Sequence, residues 1–173
     1  MNSFILYLMS ILCGVLPATR CFGLKRWMLR LAGAQVGRDV RCVSSARFLL
    51  NGPLQVGAGT WIGHDVLIVG GNAPVQIGVN CDIAPRVTLV TGTHRIDPAG
   101  SRVAGDGCSL PIKIGQGSWI CTGSTILGGT TIGPNSVVAA GAVVKGEFPA
   151  RSVIGGVPAR VIRSIDDHAA IAD

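Results

Sequence analysis

With four interruptions, apolar residues return every six positions from Val36 to about Phe148, through Val36, Cys42, Phe48, Val56, Ile62, Ile68, Ile77, Ile83, Leu89, Ile114, Ile120, Ile126, Ile132, Val138 and Val144. The second position of the hexad is often glycine (Gly37, Gly57, Gly63, Gly78, Gly115, Gly133). The fifth is small or β-branched (Val40, Thr60, Val66, Thr93, Ser118, Ser124, Thr130, Ser136). Sheets of ordinary hairpins would instead alternate with a period of two, with turn signals every ~8–12 residues. Six residues suit one short strand and a tight corner, so three hexads close a triangular coil that stacks on the next at roughly 4.8 Å. One coil cannot bury its own apolar side, but roughly fifteen hexads make about five coils, which can. The expected fold is therefore an all-β parallel β-helix over residues 34–159.

The flanks lack this period. Phe4 to Leu16 is almost wholly apolar but shorter than the roughly twenty residues a membrane-spanning helix needs. It has neither a basic n-region nor an A-x-A cleavage site, so a secretory signal is not expected. Residues 1–33 read as two short helices broken near Pro17, capping the open first coil, whose backbone groups would otherwise be unpaired. Arg20, Lys25, Arg26 and Arg30 beside Trp27 and Leu31 also have the composition of an interfacial helix, which makes residues 1–31 a candidate for peripheral membrane contact. Residues 160–173 are expected to form a short helix with Arg160 and Arg163 on one face.

Composition narrows the classes. A chain of 173 residues is one domain of ordinary size. The net charge of +6 is not gathered into a basic run interleaved with aromatics, so no nucleic-acid partner is expected. Six cysteines, at 13, 21, 42, 81, 108 and 121, form no C-x-x-C pair, and Cys42, Cys81 and Cys121 occupy hexad positions that favour small residues. They read as reduced packing residues of a cytoplasmic protein, and no metal is expected.

Departures from a regular stack map to surface loops, where function concentrates. Two stand out: a short bulge from Gly70 to Gln76, and a long excursion from Arg95 to Lys113 immediately after His94. With three hexads per coil, the two lie on one edge, one coil apart. His94 there is a candidate general base. Asn72 either reaches an acceptor hydroxyl or serves as a turn former tolerating positive φ. By the same count Trp119 falls on a different corner, and an indole is too large for the narrow interior, so it is expected outside.

Thr91-Gly92-Thr93-His94, Val138-Ala139-Ala140-Gly141-Ala142-Val143-Val144 and Gly155-Gly156-Val157-Pro158-Ala159-Arg160 together resemble the hexapeptide-repeat acyltransferases, closest to those that O-acetylate sugars. The resemblance implies a left-handed coil, acetyl coenzyme A as donor, and a homotrimer with clefts between subunits. It further implies a saccharide acceptor of surface polysaccharide or lipopolysaccharide. It assigns the base to His94 and the place beside donor and acceptor to Trp119. Thr122 and Ala140 would meet the pantetheine arm, and Arg160 and Arg163 the phosphates. The family often reads T-K-D where this chain reads Lys145-Gly146-Glu147, so Lys145 stands one place before the slot of a phosphate-binding lysine, which Gly146 holds. The same resemblance leaves antibiotic acetylation and a non-catalytic trimer as alternatives. A γ-class carbonic anhydrase needs three histidines across a subunit boundary, and the spacing of His64, His94 and His168 does not match.

Overall fold

The computed structural model describes residues 1–168. Short parallel strands stack into three faces of a triangular prism. Face A holds Gln35–Val36, Leu54–Val56, Val75–Ile77, Ile112–Ile114, Thr130–Ile132 and Glu147–Phe148. Face B holds Arg41–Cys42, Trp61–Ile62, Asp82–Ile83, Trp119–Ile120, Val137–Val138 and Ser152–Gly156. Face C holds Arg47–Leu50, Leu67–Gly70, Thr88–Val90, Thr125–Leu127 and Val143–Val144. The first hexad position points inward throughout: Ile62, Ile68, Ile83, Leu89, Ile120, Ile126, Val138 and Val144 are all fully buried.

Two other hexad positions explain the corners. The fourth adopts left-handed backbone, with φ of 57° at Asp39, 53° at Asn80, 67° at Gly117 and 55° at Asn135. That turns the chain sharply, and Gly, Asn and Asp tolerate it best. At the fifth, a buried hydroxyl ties one coil to the next. Thr60 Oγ1 donates to Gly78 O (2.9 Å) and accepts from Cys81 N (3.2 Å), and Ser118 Oγ does the same with Gly133 O and Ser136 N. Each bond pairs a polar group that burial would otherwise leave costly.

The structure departs from the hexad frame in four places. About six coils are present rather than five, because faces A and B each gain a further strand after Val144. The step from Val144 to Phe148 is four residues, turned at Gly146 with φ 118°, which hides the last coil from a six-residue frame. The expected C-terminal helix is a strand, Ala159–Ser164, antiparallel to Ser152–Gly156, followed by a 3-10 turn at Asp166–His168. Its β-branched Val161 and Ile162 favour extended backbone, and the strand covers an edge that would otherwise be unpaired; residues 169–173 of that expected helix lie outside the described residues. The excursion is a β-hairpin, not an irregular loop, with Gly92–Ile96 paired to Ala104–Ser109. Finally, Thr93 is exposed and Thr91 buried, because the chain leaves the coil at Gly92.

At the other end, α1 (Ser3–Val15) and α2 (Phe22–Leu31) cover the first coil. Leu6, Met9 and Cys13 of α1, and Met28 and Leu29 of α2, join the core. The cations of α2 serve this cap rather than a free basic face. Lys25 is buried with Nζ 2.9 Å from Ala18 O, Arg26 donates to Val40 O (3.0 Å), and Arg30 donates to Val36 O (2.7 Å). Among the described residues no helix is long and apolar enough to cross a membrane.

Candidate active site

The hairpin begins where face C ends, so the chain carries His94 outward at the corner between faces C and A. His94 lies opposite Gly107 in the hairpin, and its ring turns back to Gly105, with Nδ1 2.9 Å from Gly105 O. A carbonyl oxygen can only accept, so the proton sits on Nδ1 and Nε2 keeps its lone pair. The imidazole is thereby held in the tautomer a general base requires, on an exposed side chain.

The bulge one coil below closes the other side of the same groove. Ala73 N donates to Ser109 Oγ (3.1 Å), so hairpin and bulge are joined at their bases, and Gly52 N donates to Gly71 O (2.9 Å), which ties the bulge to the coil beneath. Gly71, Asn72, Thr93, His94, Cys108 and Ser109 line the open depression. Asn72 is exposed there, and its φ is not positive. It is therefore not present as a left-handed turn former, one of the two readings its type allowed. Ser109 was not evident from the sequence, since a lone serine in a long excursion carries no pattern. The hairpin itself had a signal: Asp97-Pro98-Ala99-Gly100 is a turn, in which Asp97 Oδ1 accepts from Ala99 N and Gly100 N.

The second group of candidates lies elsewhere. Trp119 is 52% exposed on the outer surface of face B, as its size required. Register pairs continue from Trp119 through Val137 and Val153 to Arg163, three strand spacings or about 14 Å. Arg163 lies opposite Val153 and Arg160 opposite Gly155, because the register skips Ile162. The two arginines thus share the outward face for a reason unlike the helical spacing expected of them. Thr122 and Ala140 stack at the corner between faces B and C, where Gly141 N donates to Thr122 O (3.0 Å) and Thr122 Oγ1 donates to Pro85 O (2.7 Å). His64 is exposed at that same corner, where its carbonyl accepts from Arg86 N (2.7 Å). Lys145 does not join this group, since it follows Val143–Val144 at the corner between faces C and A. Cys121, near Trp119, is a poor nucleophile: burial pushes its thiol pKa up, and the Asp82 carboxylate adds to the effect.

Known proteins share this framework. The family model described as bacterial transferase hexapeptide (six repeats) matches residues 111–146. Galactoside O-acetyltransferase of Escherichia coli strain K12 is 37% identical over 135 residues, 78% of this chain and 66% of that protein. A second protein of that strain, assigned as a colanic acid biosynthesis acetyltransferase, is 35% identical over 143 residues, 81% of this chain and 76% of its own length. Among solved structures, a hexapeptide-repeat acetyltransferase of Vibrio cholerae complexed with acetyl coenzyme A has a TM-score of 0.77 at 28% identity, over 94% of this chain and 86% of that one. A galactoside acetyltransferase in complex with coenzyme A has a TM-score of 0.76 at 26% identity, over 98% and 81%. Repeat, prism and relatives agree: the chain belongs to the hexapeptide-repeat acetyltransferases.

Proposed function

We propose that the protein transfers an acetyl group from acetyl coenzyme A to a saccharide hydroxyl in the building of a surface polysaccharide or lipopolysaccharide. The observation that carries this reading is the His94 ring, held through Nδ1 by Gly105 O with Nε2 free above a groove that also exposes Asn72. Nε2 takes the hydroxyl proton as the oxygen attacks the thioester carbonyl. The tetrahedral intermediate then expels the coenzyme A thiolate, which recovers the proton. Asn72 orients the hydroxyl, and backbone N–H groups stabilise the oxyanion.

The donor is assigned to face B. Its thioester end lies at Trp119, its pantetheine arm passes Thr122 and Ala140, and its phosphates meet Arg160 and Arg163 about 14 Å further along. Solved relatives that carry coenzyme A or acetyl coenzyme A support this choice of donor, and the raised Cys121 thiol favours direct transfer over an acyl-enzyme. Trp119 and His94 occupy different sides of the prism, so one site needs two subunits. A homotrimer of left-handed coils, cytoplasmic where acetyl coenzyme A is made, meets that need, with Lys145 reaching the donor across the same cleft.

The test is incubation of the purified protein with acetyl coenzyme A and a panel of galactosides, maltosides and lipopolysaccharide core oligosaccharides. Gain of one acetyl by a saccharide, read by mass spectrometry, is the expected result. Release of coenzyme A with no saccharide acetylated, or acetylation of aminoglycosides and chloramphenicol alone, overturns the assignment.

A further inference from the structure

The N-terminal helix carries a surface that neither the coil nor the acetyl-transfer site uses. Phe4, Tyr7, Leu8, Ile11, Leu12 and Val15 recur at helical spacing on the outer face of α1 and are between 40% and 80% exposed. The helix contains no charged residue. Beneath it, between α1 and face C, runs an apolar groove of about 200 Å³ whose lining includes buried Leu6, Met9 and Phe48 and exposed Tyr7, Arg47 and Leu49.

Charge identifies what this surface meets. Residues 1–50 hold seven Lys and Arg against one Asp, whereas residues 51–173 hold eight basic and eight acidic residues. The whole net charge of +6 therefore belongs to the cap and first coil. Arg20, Arg38, Arg41 and Arg47 are exposed there. A second copy would bring an equally positive end against the first, so self-association through α1 is opposed by repulsion. An apolar stripe set in a positive field fits an anionic lipid surface, where side chains enter the acyl boundary and cations remain among the headgroups.

We propose that α1 is a membrane-docking helix that lies in the interface of an anionic bilayer, with the groove beside Arg47 accepting part of a lipid acyl chain. Docking there brings the catalytic groove close to the lipid. Ser3 Oγ bonds Asn51 Oδ1 (3.3 Å) at the corner between faces C and A, and Asn72 and His94 follow on that corner within about two coil steps, roughly 10 Å. The lipid contact itself does not depend on the catalytic reading.

Flotation with vesicles tests it, using equal parts phosphatidylglycerol and phosphatidylcholine against phosphatidylcholine alone. The full chain is expected to float with the anionic vesicles at low salt and to be released as salt rises. Leu8→Glu/Ile11→Glu should bind about tenfold less, with melting temperature and sedimentation unchanged because both side chains point outward. A milder Ile11→Asn change reads the same loss if the double variant does not fold. Failure of the full chain to bind anionic vesicles overturns the proposal, as does equal binding by the variants. A smaller assembly in the variants would show that another copy covers the stripe, and also overturns it.

Discussion

Replacing His94 with alanine separates the proposed base from everything else in the site. The ring is exposed, so its loss leaves no buried cavity. The lost bond frees the half-exposed Gly105 carbonyl to water. Stability should therefore change by less than about 0.5 kcal/mol, or roughly 1–2 °C in Tm for a chain of this length. Catalysis should respond very differently. With Nδ1 fixed 2.9 Å from Gly105 O, the wild-type ring offers Nε2 in the correct tautomer at no reorganisation cost. A positioned base contributes about 10²- to 10⁴-fold, or roughly 2.7–5.5 kcal/mol of barrier. The assay is steady-state release of coenzyme A thiol with the best saccharide acceptor, corrected for hydrolysis, alongside calorimetric titration of coenzyme A. His94→Ala should lose at least a hundredfold in kcat and keep donor Kd within about twofold, because Trp119 and Arg163 lie on another face. Turnover within about threefold of wild type would refute the assignment of the base, and so would a fall in activity explained by weaker donor binding.

Arg160→Ala and Arg163→Ala should each weaken coenzyme A about tenfold, the worth of a charge-assisted phosphate contact, and leave pantetheine unaffected; equal weakening of both ligands in titration would remove the phosphate role. Gly115→Ala drives a Cβ to 2.4 Å from Pro134 N in the next coil. It should cost about 1–3 kcal/mol and lower Tm by roughly 3–10 °C, and an unchanged melting curve would mean that the stack opens freely. Burial, with Cys13 nearby, pushes the Cys42 thiol up to about 12 from 9.0, against a smaller opposing effect of Lys25. The unfolded chain then loses that proton first, so stability is intact below pH 9 and falls as pH rises from 9 toward about 12. Melting temperatures of wild type and Cys42→Val should diverge only in that window, and parallel curves would exclude the effect.

What could be read before folding, and what could not, divides by the range of the interaction. The inward stack from Val36 to Val144 was legible because one physical constraint, the narrow prism, repeats at each first position. Its consequence for Trp119, too large to point inward, was legible for the same reason. Counting three hexads per coil also placed Asn72 under His94, and one groove holds them both. The sixth coil was hidden because Gly146 shortens one step to four residues. The bond from His94 to Gly105 depends on a hairpin register eleven residues long, and Ser109 bracing Ala73 spans 36 residues. No local pattern encodes either. The C-terminal strand was missed because Arg160 and Arg163 satisfy helical spacing equally well; a register that skips Ile162 gives the same shared face in extended backbone. Lys25 looked like a surface cation and is fully buried, its charge met by Pro17 O and Ala18 O.

If the proposed assignments hold, neither half of the site is sufficient alone. His94 and Asn72 stand at the corner between faces C and A, while Trp119 and Arg163 stand on face B. They lie on different sides of the prism, so on the proposed roles one chain would not bring a thioester at Trp119 to a hydroxyl at His94. Two inactive variants should therefore repair one another. Take His94→Ala and, separately, Trp119→Ala/Arg163→Ala, each with negligible turnover alone, and reassemble them as an equal mixture from the dissociated state. A cleft works only where a subunit with intact His94 meets a neighbour with an intact face B. In a randomly mixed ring, about one cleft in four satisfies both conditions. Recovered activity near a quarter of wild type would show a shared site; a mixture as inactive as its components would require both halves to act within one subunit, and the two-subunit mechanism would fall.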